Sequence, residues 1–408
     1  MSKHNNPGRH GAAHVSRQAS AARSYEQKAN RLYRDEKLDR AIALLRQAAT
    51  QSPDNAKLQH KLGLWLSKQK HVDEGIQCYR KALEIDADFA PALIDLAQAL
   101  GKKNHFDEAV PLVEKALELE PDNASGHLVY GVLKQRQGEL DDAVLQFRTS
   151  LELRLQHPPR TGRPGKKKKD FNQPATEALL WTTLSTLAKA GVHAFAAFGT
   201  LLGLTREGGL LPFDKDIDLG IPNSEMRRAC EVLEANGWIE MSDVQPHMIN
   251  PIPFYHPLEK ITLDVSGFVV DRVASRSCEG VWWDNVPWED NRITEFPPLE
   301  LEKATSPDDQ PIWSLRDPEQ WLDVLYGDWR TPDPDFDTII AARNLRGFSL
   351  LTQSYAFSRI HEKWQNGQIG KARALVRHSR RHLPDDTLLR RLDTHFEALQ
   401  AEAATAAA

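Results

Sequence analysis

The chain has 408 residues, with 52 Lys and Arg against 57 Asp and Glu, which gives a formal net charge of -5. This length exceeds the usual size of a single hydrophobic core, so two or more domains are expected. The slightly acidic balance argues against a protein that as a whole coats nucleic acid or an anionic membrane.

Cysteine content and hydropathy indicate a cytoplasmic protein. Cys78, Cys230 and Cys278 are too few for a disulfide framework and lack the spacing of a zinc site, so we expect reduced thiols. No apolar run approaches the roughly 20 residues that span a bilayer. The amino terminus lacks the apolar segment of a signal peptide and offers little to bury, which predicts a disordered tail over residues 1–21.

Small residues recur every 34 positions between residues 22 and 155. The three series are Ala29, Gly63, Ala97 and Gly131; Ala41, Gly75, Ala109 and Ala143; and Ala48, Ala82, Ala116 and Ser150. A unit of this length resembles the tetratricopeptide repeat, in which paired antiparallel helices approach closely at small residues. We therefore predict an all-α solenoid of four repeats that binds a protein partner. Packing on a neighbouring domain or self-association is the alternative.

A change in composition marks the end of the repeats. Residues 156–174 are rich in Pro, Gly and basic residues, with four consecutive lysines at 166–169, and are interpreted as a linker. A solvated hinge is the favoured role of the lysines. Peripheral contact with anionic lipid head groups or a polyanionic acceptor is the alternative.

The next segment, 175–340, contains a predicted acidic strand. In "DIDLGI", Asp216 and Asp218 project to one face, because side chains alternate along a strand. Two carboxylates buried together repel each other, so a bound cation between them is expected. Oxygen ligands favour Mg²⁺ or Mn²⁺ over zinc.

A second strand supplies a third acid. In "KITLDVSGFVV", residues 260–270, the alternation places Asp264 on the face opposite the apolar side chains. Asp264 could complete the metal site or accept a proton from an attacking hydroxyl group.

A glycine-containing turn precedes the acidic strand. At Gly199 and Thr200 the backbone can approach a phosphate and present its N–H groups. Arg206 would neutralise phosphate charge, as phosphoryl transfer requires. Pairing of Arg206 with Glu207 or another acid is the alternative.

The stretch "FGTLLGLTREGGLLPFDKDIDLGIP" is similar to the signature of the LicD and fukutin-related family, and "LRDPEQWLDVLYGDWRTPDPDFD", residues 315–337, resembles the closing segment of that family. The resemblance implies a mixed α/β nucleotidyltransferase fold like that of DNA polymerase beta. It also implies transfer of phosphocholine or a phospho-alditol from a CDP-linked donor to a glycan acceptor.

Residue by residue, the resemblance implies that Gly199 and Thr200 form the turn at the nucleotide and that Asp216 and Asp218 bind the metal. Asp264 matches the third carboxylate of the superfamily, an assignment that rests mainly on strand alternation. Asp214 corresponds to the first acid of the family triple, and Lys215 stands where many relatives carry another acid.

Three tryptophans, two histidines and a helix cap remain between these motifs and the end of the domain. Trp282, Trp283 and Trp288 could form a platform for a sugar or base, or could belong to the core. His247 and His256 are interpreted as packed polar residues. Asp317 and Gly327 are expected to begin and end a helix, which favours an architectural role for "YGDW".

The carboxyl-terminal part, residues 341–400, is predicted to be helical. Gly367, Ala372, Ser379 and Pro384 have the spacing of a further tetratricopeptide-like hairpin. Two other functions stay open: a nucleotide-sugar glycosyltransferase that uses the D-x-D pair, and an adaptor whose transferase-like domain is catalytically silent.

Overall fold

The computed structural model describes residues 7–158, 172–212 and 216–407. The lysines at 166–169, most of the predicted linker, Asp214 and Lys215 therefore lie outside the described residues. The chain divides into two compact units, Met1–Leu133 and Lys134–Ala408. The boundary between the units falls within the fourth predicted repeat.

The first unit consists of paired antiparallel helices. Their bounds are α1 (Pro7–Arg34), α2 (Leu38–Gln51), α3 (Ala56–Lys68), α4 (Val72–Ile85), α5 (Ala90–Lys102), α6 (Phe106–Leu119) and α7 (Ala124–Arg136), the last of which crosses the unit boundary. Small residues lie where the helices meet: Ala41, Ala82 and Ala109 are completely buried. At Gly63 an added Cβ would stand 2.7 Å from the Tyr79 ring, so the close approach of α3 and α4 requires glycine.

Helix α1 departs from the predicted disordered tail. It begins at Pro7, whereas the sequence predicts no structure through residue 21. The prediction relied on the scarcity of apolar residues. The segment is nevertheless rich in alanine and other residues that favour helix, and it continues directly from the helix of the first repeat. Residues 1–6 of the predicted tail lie outside the described residues.

The second unit combines helices with a mixed sheet. Its helices are α8 (Leu140–Gln156), α9 (Gln173–Lys189), α10 (Phe198–Glu207), α11 (Met226–Ala235), α12 (Pro318–Tyr326), α13 (Leu350–Gln365), α14 (Ile369–His382) and α15 (Thr387–Ala407). Its strands are β1 (Phe195–Ala196), β2 (Asp216–Pro222), β3 (Ile239–Glu240), β4 (Met248–Asn250), β5 (Ile252–His256), β6 (Ile261–Asp271), β7 (Arg276–Trp283), β8 (Arg292–Phe296), β9 (Leu301–Thr305) and β10 (Pro311–Leu315).

The main sheet brings the two acidic strands together as neighbours. Its order is β1-β2-β6-β5-β3, and β6 continues past this group to pair with β7, which also pairs with β4 and β8. Strands β2 and β6 are parallel, whereas β1–β2 and β5–β6 are antiparallel. Strands β9 and β10 form a separate hairpin.

One face of the sheet packs on helices and the other carries the acids. Ile217 and Leu219 of β2 and Leu263 of β6 are completely buried, in a core shared with Leu180 of α9 and Leu233 of α11. The alternation of side chains along each strand then directs the aspartates to the opposite face. The mixed sheet is confirmed, and the segment that leads into the acidic strand forms β1, α10 and β2 in that order.

The predicted carboxyl-terminal hairpin forms as α13 and α14, and α15 packs on α14 after it. Ala372 and Ser379 are completely buried, as their spacing predicted. Helix α13 also packs against α8, although some 190 residues separate them in the sequence. None of the described helices is both long enough and apolar enough to cross a bilayer.

Candidate functional site

The three predicted acids lie on adjacent parallel strands. Asp218 of β2 is the register partner of Asp264 of β6, and Asp216 pairs in the same way with Thr262. All three aspartates are partly exposed, while the residues that directly follow each of them on its strand are buried. Because neighbouring strands lie about 4.8 Å apart, the carboxylates share one small area of the sheet.

Helix α10 begins beside this acidic area. The Gly199 N–H donates a 3.0 Å hydrogen bond to Asp218 Oδ2, and the Asp218 N–H donates a 2.9 Å hydrogen bond to Thr200 Oγ1. The Ala197 N–H donates to the Asp218 carbonyl oxygen at 3.0 Å. The Asp218 carboxylate therefore accepts a hydrogen bond from one N–H group in the first turn of α10. The first N–H groups of a helix have no partner within the helix, and they favour negative charge.

The backbone at the start of α10 is strained. Phe198 has a φ of 43°, in the left-handed region that aromatic residues rarely adopt. Its ring packs against Phe268 and Phe296, with centroids 6.3 and 6.4 Å away. Such strain persists only where the surroundings fix the backbone, and it is common at functional sites. The aromatic contacts thus hold Gly199 in place next to Asp218.

Burial and charge alter the acidity of Asp264. Its pKa is raised from 3.8 to about 6, first by burial and second by the negative charge of Asp216. A carboxyl group with a pKa near neutrality can both accept and release a proton at physiological pH. The pKa of Asp264 is therefore close to neutrality.

Arg206 lies at the other end of the same helix. Seven residues separate it from Gly199, which corresponds to about 10 Å along the axis. Its Nε donates to Glu207 Oε1 at 2.8 Å, and its Nη1 donates to the Trp329 carbonyl oxygen at 3.0 Å. The structure thus shows the pairing of Arg206 with Glu207 that the sequence left open. The bond of Arg206 to the Trp329 carbonyl oxygen also connects α10 to the "YGDW" segment.

Two residues of α9 that the sequence analysis missed fix the loop after α10. Glu177 Oε1 accepts the Leu210 N–H at 2.8 Å, and Gln173 Nε2 donates to the Leu210 carbonyl oxygen at 2.9 Å. A Cβ at Gly209 would stand 2.6 Å from Glu177 Oε1, so glycine at this position leaves room for these two hydrogen bonds. The paired glycines 208 and 209 were the only sequence signal, and they do not identify the partner.

The donor chemistry of the site fits a divalent metal ion. Within 7–158, 172–212 and 216–407, no group of three or more His, Cys, Asp or Glu side chains is arranged to hold a metal. Mg²⁺, however, is usually bound by one or two carboxylates, with waters and substrate phosphates completing the octahedron. The paired strands offer such carboxylates on one face of the sheet.

The aromatic stretch divides into core and surface. Trp282 and Trp283 are buried, whereas Trp288 is 48% exposed and its ring lies 5.3 Å from that of Trp282. Two of the three tryptophans therefore belong to the core. His247 Nδ1 lies 2.9 Å from Asp284 Oδ1, and His256 accepts a backbone N–H.

The closing motif has the predicted architectural features. Asp317 Oδ1 accepts the Gln320 N–H at 3.0 Å at the start of α12, and Gly327 ends that helix with a φ of 78°. Trp329 is buried, and its Nε1 donates to Asp323 Oδ1 at 2.8 Å.

Together these features define a helical-repeat protein with an acidic site on a mixed β-sheet. Residues 191–252 match the family model described as LicD/FKTN/FKRP, nucleotidyltransferase domain. Residues 26–89 and 94–156 match the tetratricopeptide repeat. The matches confirm both resemblances, and the solenoid of the first unit is confirmed with them. The LicD match includes Gly199, Asp216 and Asp218 and ends before Asp264.

Solved structures resemble part of the chain only weakly. MamA from Desulfovibrio magneticus RS-1 is 16% identical over 33% of this chain and 75% of its own, with a TM-score of 0.31. The Arabidopsis OM64 TPR domain is 20% identical over 29% of this chain and 98% of its own, with a TM-score of 0.28. Similarity at this level carries no functional argument. Comparison with curated proteins gave no match.

Proposed function

We propose that the second unit transfers a phospho-substituent, of the phosphocholine or phospho-alditol type, from a CDP-linked donor to a hydroxyl group of a glycan. The observation that supports this most is the register of β2 and β6, which sets Asp218 beside Asp264 at the start of α10. The match of residues 191–252 to the LicD domain supports a transferase of this type. A nucleotidyltransferase fold for the whole unit is part of the proposal.

In this proposal Asp216 and Asp218 hold Mg²⁺ or Mn²⁺, and Asp264 contributes to the same acidic area. When bound, the ion would offset the charge of the donor diphosphate, a general requirement of phosphoryl transfer. The first turn of α10 would face the diphosphate, because the N-terminus of a helix favours anions. The Gly199 N–H would then exchange its bond to Asp218 for one to a phosphate oxygen.

The proton of the acceptor hydroxyl is assigned to Asp264. As the hydroxyl oxygen forms its bond to phosphorus, the phosphorus–oxygen bond to CMP breaks, CMP leaves as the anion, and the proton moves to the Asp264 carboxylate. With a pKa of about 6, Asp264 is mostly ionised at pH 7 and ready to accept it. Arg206 stays a candidate for phosphate charge, on condition that it leaves Glu207.

Nucleotide binding tests this function most directly. We expect CDP-choline, CDP-ribitol or CDP-glycerol to raise the melting temperature of the protein in the presence of Mg²⁺ or Mn²⁺, since a bound ligand stabilises the folded state. The double variant Asp216→Asn, Asp218→Asn should lose this response. Undiminished transfer by the purified double variant would rule out the metal role. A response to UDP-sugars alone would indicate the glycosyltransferase alternative.

The repeat array supports a second role, which is to bind a protein partner. The match of residues 26–156 to tetratricopeptide repeats favours it, because arrays of this kind present extended binding surfaces. The proposal places the protein in the cytoplasm, with a solvated hinge as the favoured role of the lysines at 166–169 and peripheral membrane contact as the alternative. Pull-down with the full chain and with variants on the exposed positions of α3 and α5 tests the partner. Binding of a partner without any metal-dependent nucleotide binding would favour the adaptor alternative.

A further inference from the structure

Helices α8 and α13, which pack together, carry buried donor groups that lack acceptors. Arg154 of α8 is 9% exposed, and His361 and Trp364 of α13 are each 1% exposed. Within the described part of the chain, no hydrogen-bond partner reaches Arg154 Nε and Nη1, either ring nitrogen of His361, or Trp364 Nε1. His361 and Trp364 are three residues apart on one helix and so share a face.

Arg154 differs from the other arginines of this region. Arg148 Nη1 lies 2.5 Å from Asp386 Oδ2, Arg359 Nη1 lies 2.5 Å from Asp337 Oδ2, and Arg373 Nε lies 3.0 Å from Asp393 Oδ1. Each of these three has a carboxylate, although each is more exposed than Arg154. Within the described residues no ion pair forms on Arg154, so among these four arginines the least exposed one lacks a counter-charge.

A buried guanidinium without an anionic partner is energetically unfavourable. A guanidinium stays protonated in proteins, so Arg154 cannot remove its charge by releasing a proton. A buried polar group without a partner destabilises the fold, and a buried charge without a partner destabilises it more. Water can satisfy the donors but cannot neutralise the charge. The positive charge also acts on His361, whose pKa is lowered to about 3 by burial and then by Arg154.

We propose that the α8–α13 interface binds a small oxyanion of the phosphate or sulfate type through Arg154 and His361. The guanidinium fork suits two oxygens of such an anion, and the imidazole N–H group can donate to a third. The anion would connect the helix that ends the repeats to the carboxyl-terminal hairpin. The site is separate from the acidic site on β2 and β6, and it does not depend on the proposed transferase activity.

The test is thermal unfolding of the full chain with EDTA present and without nucleotide, in phosphate or sulfate and in chloride of matched ionic strength. We expect the melting temperature to rise with the logarithm of phosphate concentration above the effect of chloride. The variant Arg154→Met should lose this rise. The matched control Arg148→Met, on the same helix, should melt at a lower temperature but keep the rise.

If Arg154→Met does not fold, calorimetric titration of Arg154→Lys and the wild type with inorganic phosphate replaces the thermal test. Arg154→Lys keeps the charge and loses the fork, so its phosphate affinity should fall at least about tenfold. The proposal is overturned if phosphate and sulfate stabilise no more than chloride, or if Arg154→Met keeps the full response.

Discussion

Replacing Asp264 with asparagine is expected to stabilise the protein while removing its transfer activity. Asparagine has nearly the same shape and no charge, so it avoids the burial of a carboxylate next to Asp216. The pKa of Asp264 is about 6 in the folded protein against an ordinary value of 3.8. One pKa unit corresponds to about 1.4 kcal/mol, so the ionised side chain destabilises the fold by about 3 kcal/mol.

The sign of the pH dependence follows from the direction of that change. A raised pKa means that the folded state holds the proton more tightly than the unfolded state does. The stability contributed by protonated Asp264 is therefore complete below pH 3.8 and is lost as the pH rises through about 6. We expect Asp264→Asn to match the wild type near pH 4 and to exceed it by up to about 3 kcal/mol near pH 8.

The measurement is urea or thermal unfolding of both proteins from pH 4 to pH 8 in EDTA. Glu259→Gln is the control, because this exposed residue on the turn between β5 and β6 loses one negative charge without a change in the acidic site. Its stability difference from the wild type should be nearly independent of pH. A difference for Asp264→Asn that does not grow with pH, or a loss of stability at pH 8, would refute the electrostatic reasoning.

Three further substitutions test the supports of the fold and the site. Glu177→Ala removes the acceptor of the Leu210 N–H, so it should reduce stability by about 1–3 kcal/mol in urea unfolding and lower the rate of transfer. Glu177→Gln keeps an acceptor oxygen and should restore most of the stability and most of the transfer rate. Thr200→Val removes the buried hydroxyl group that accepts the Asp218 N–H, and should weaken stability by a similar amount, with loss of metal-dependent nucleotide binding in calorimetry. Gly63→Ala places a methyl group against Tyr79 and should lower stability by about 1–3 kcal/mol in denaturant unfolding, with no change in nucleotide binding.

The sequence predicted the acidic strands well because a strand has a simple period. Alternation alone placed Asp216, Asp218 and Asp264 opposite the apolar residues, and the structure agrees. The 34-residue period located the helix pairs for the same reason, since close contact between helices restricts residue size. Patterns of this kind are local, and one sequence is enough to show them.

Contacts between distant segments could not be predicted in this way. Glu177 meets Leu210 from 33 positions away, and nothing in the spacing of acids and glycines identifies that partner. Arg206 looked like a phosphate ligand by its place in the motif, yet its bonds to Glu207 and Trp329 depend on where α12 ends. The start of α1 was misjudged because the tail was assessed by what it could bury rather than by its intrinsic helix preference.

The packing of α13 on α8 makes the sheet domain an insertion whose two ends return to the same helical scaffold. A single backbone cut between α8 and α9 would therefore leave two fragments that still recognise each other. They should copurify without a covalent link, because α8 of one fragment packs on α13 of the other.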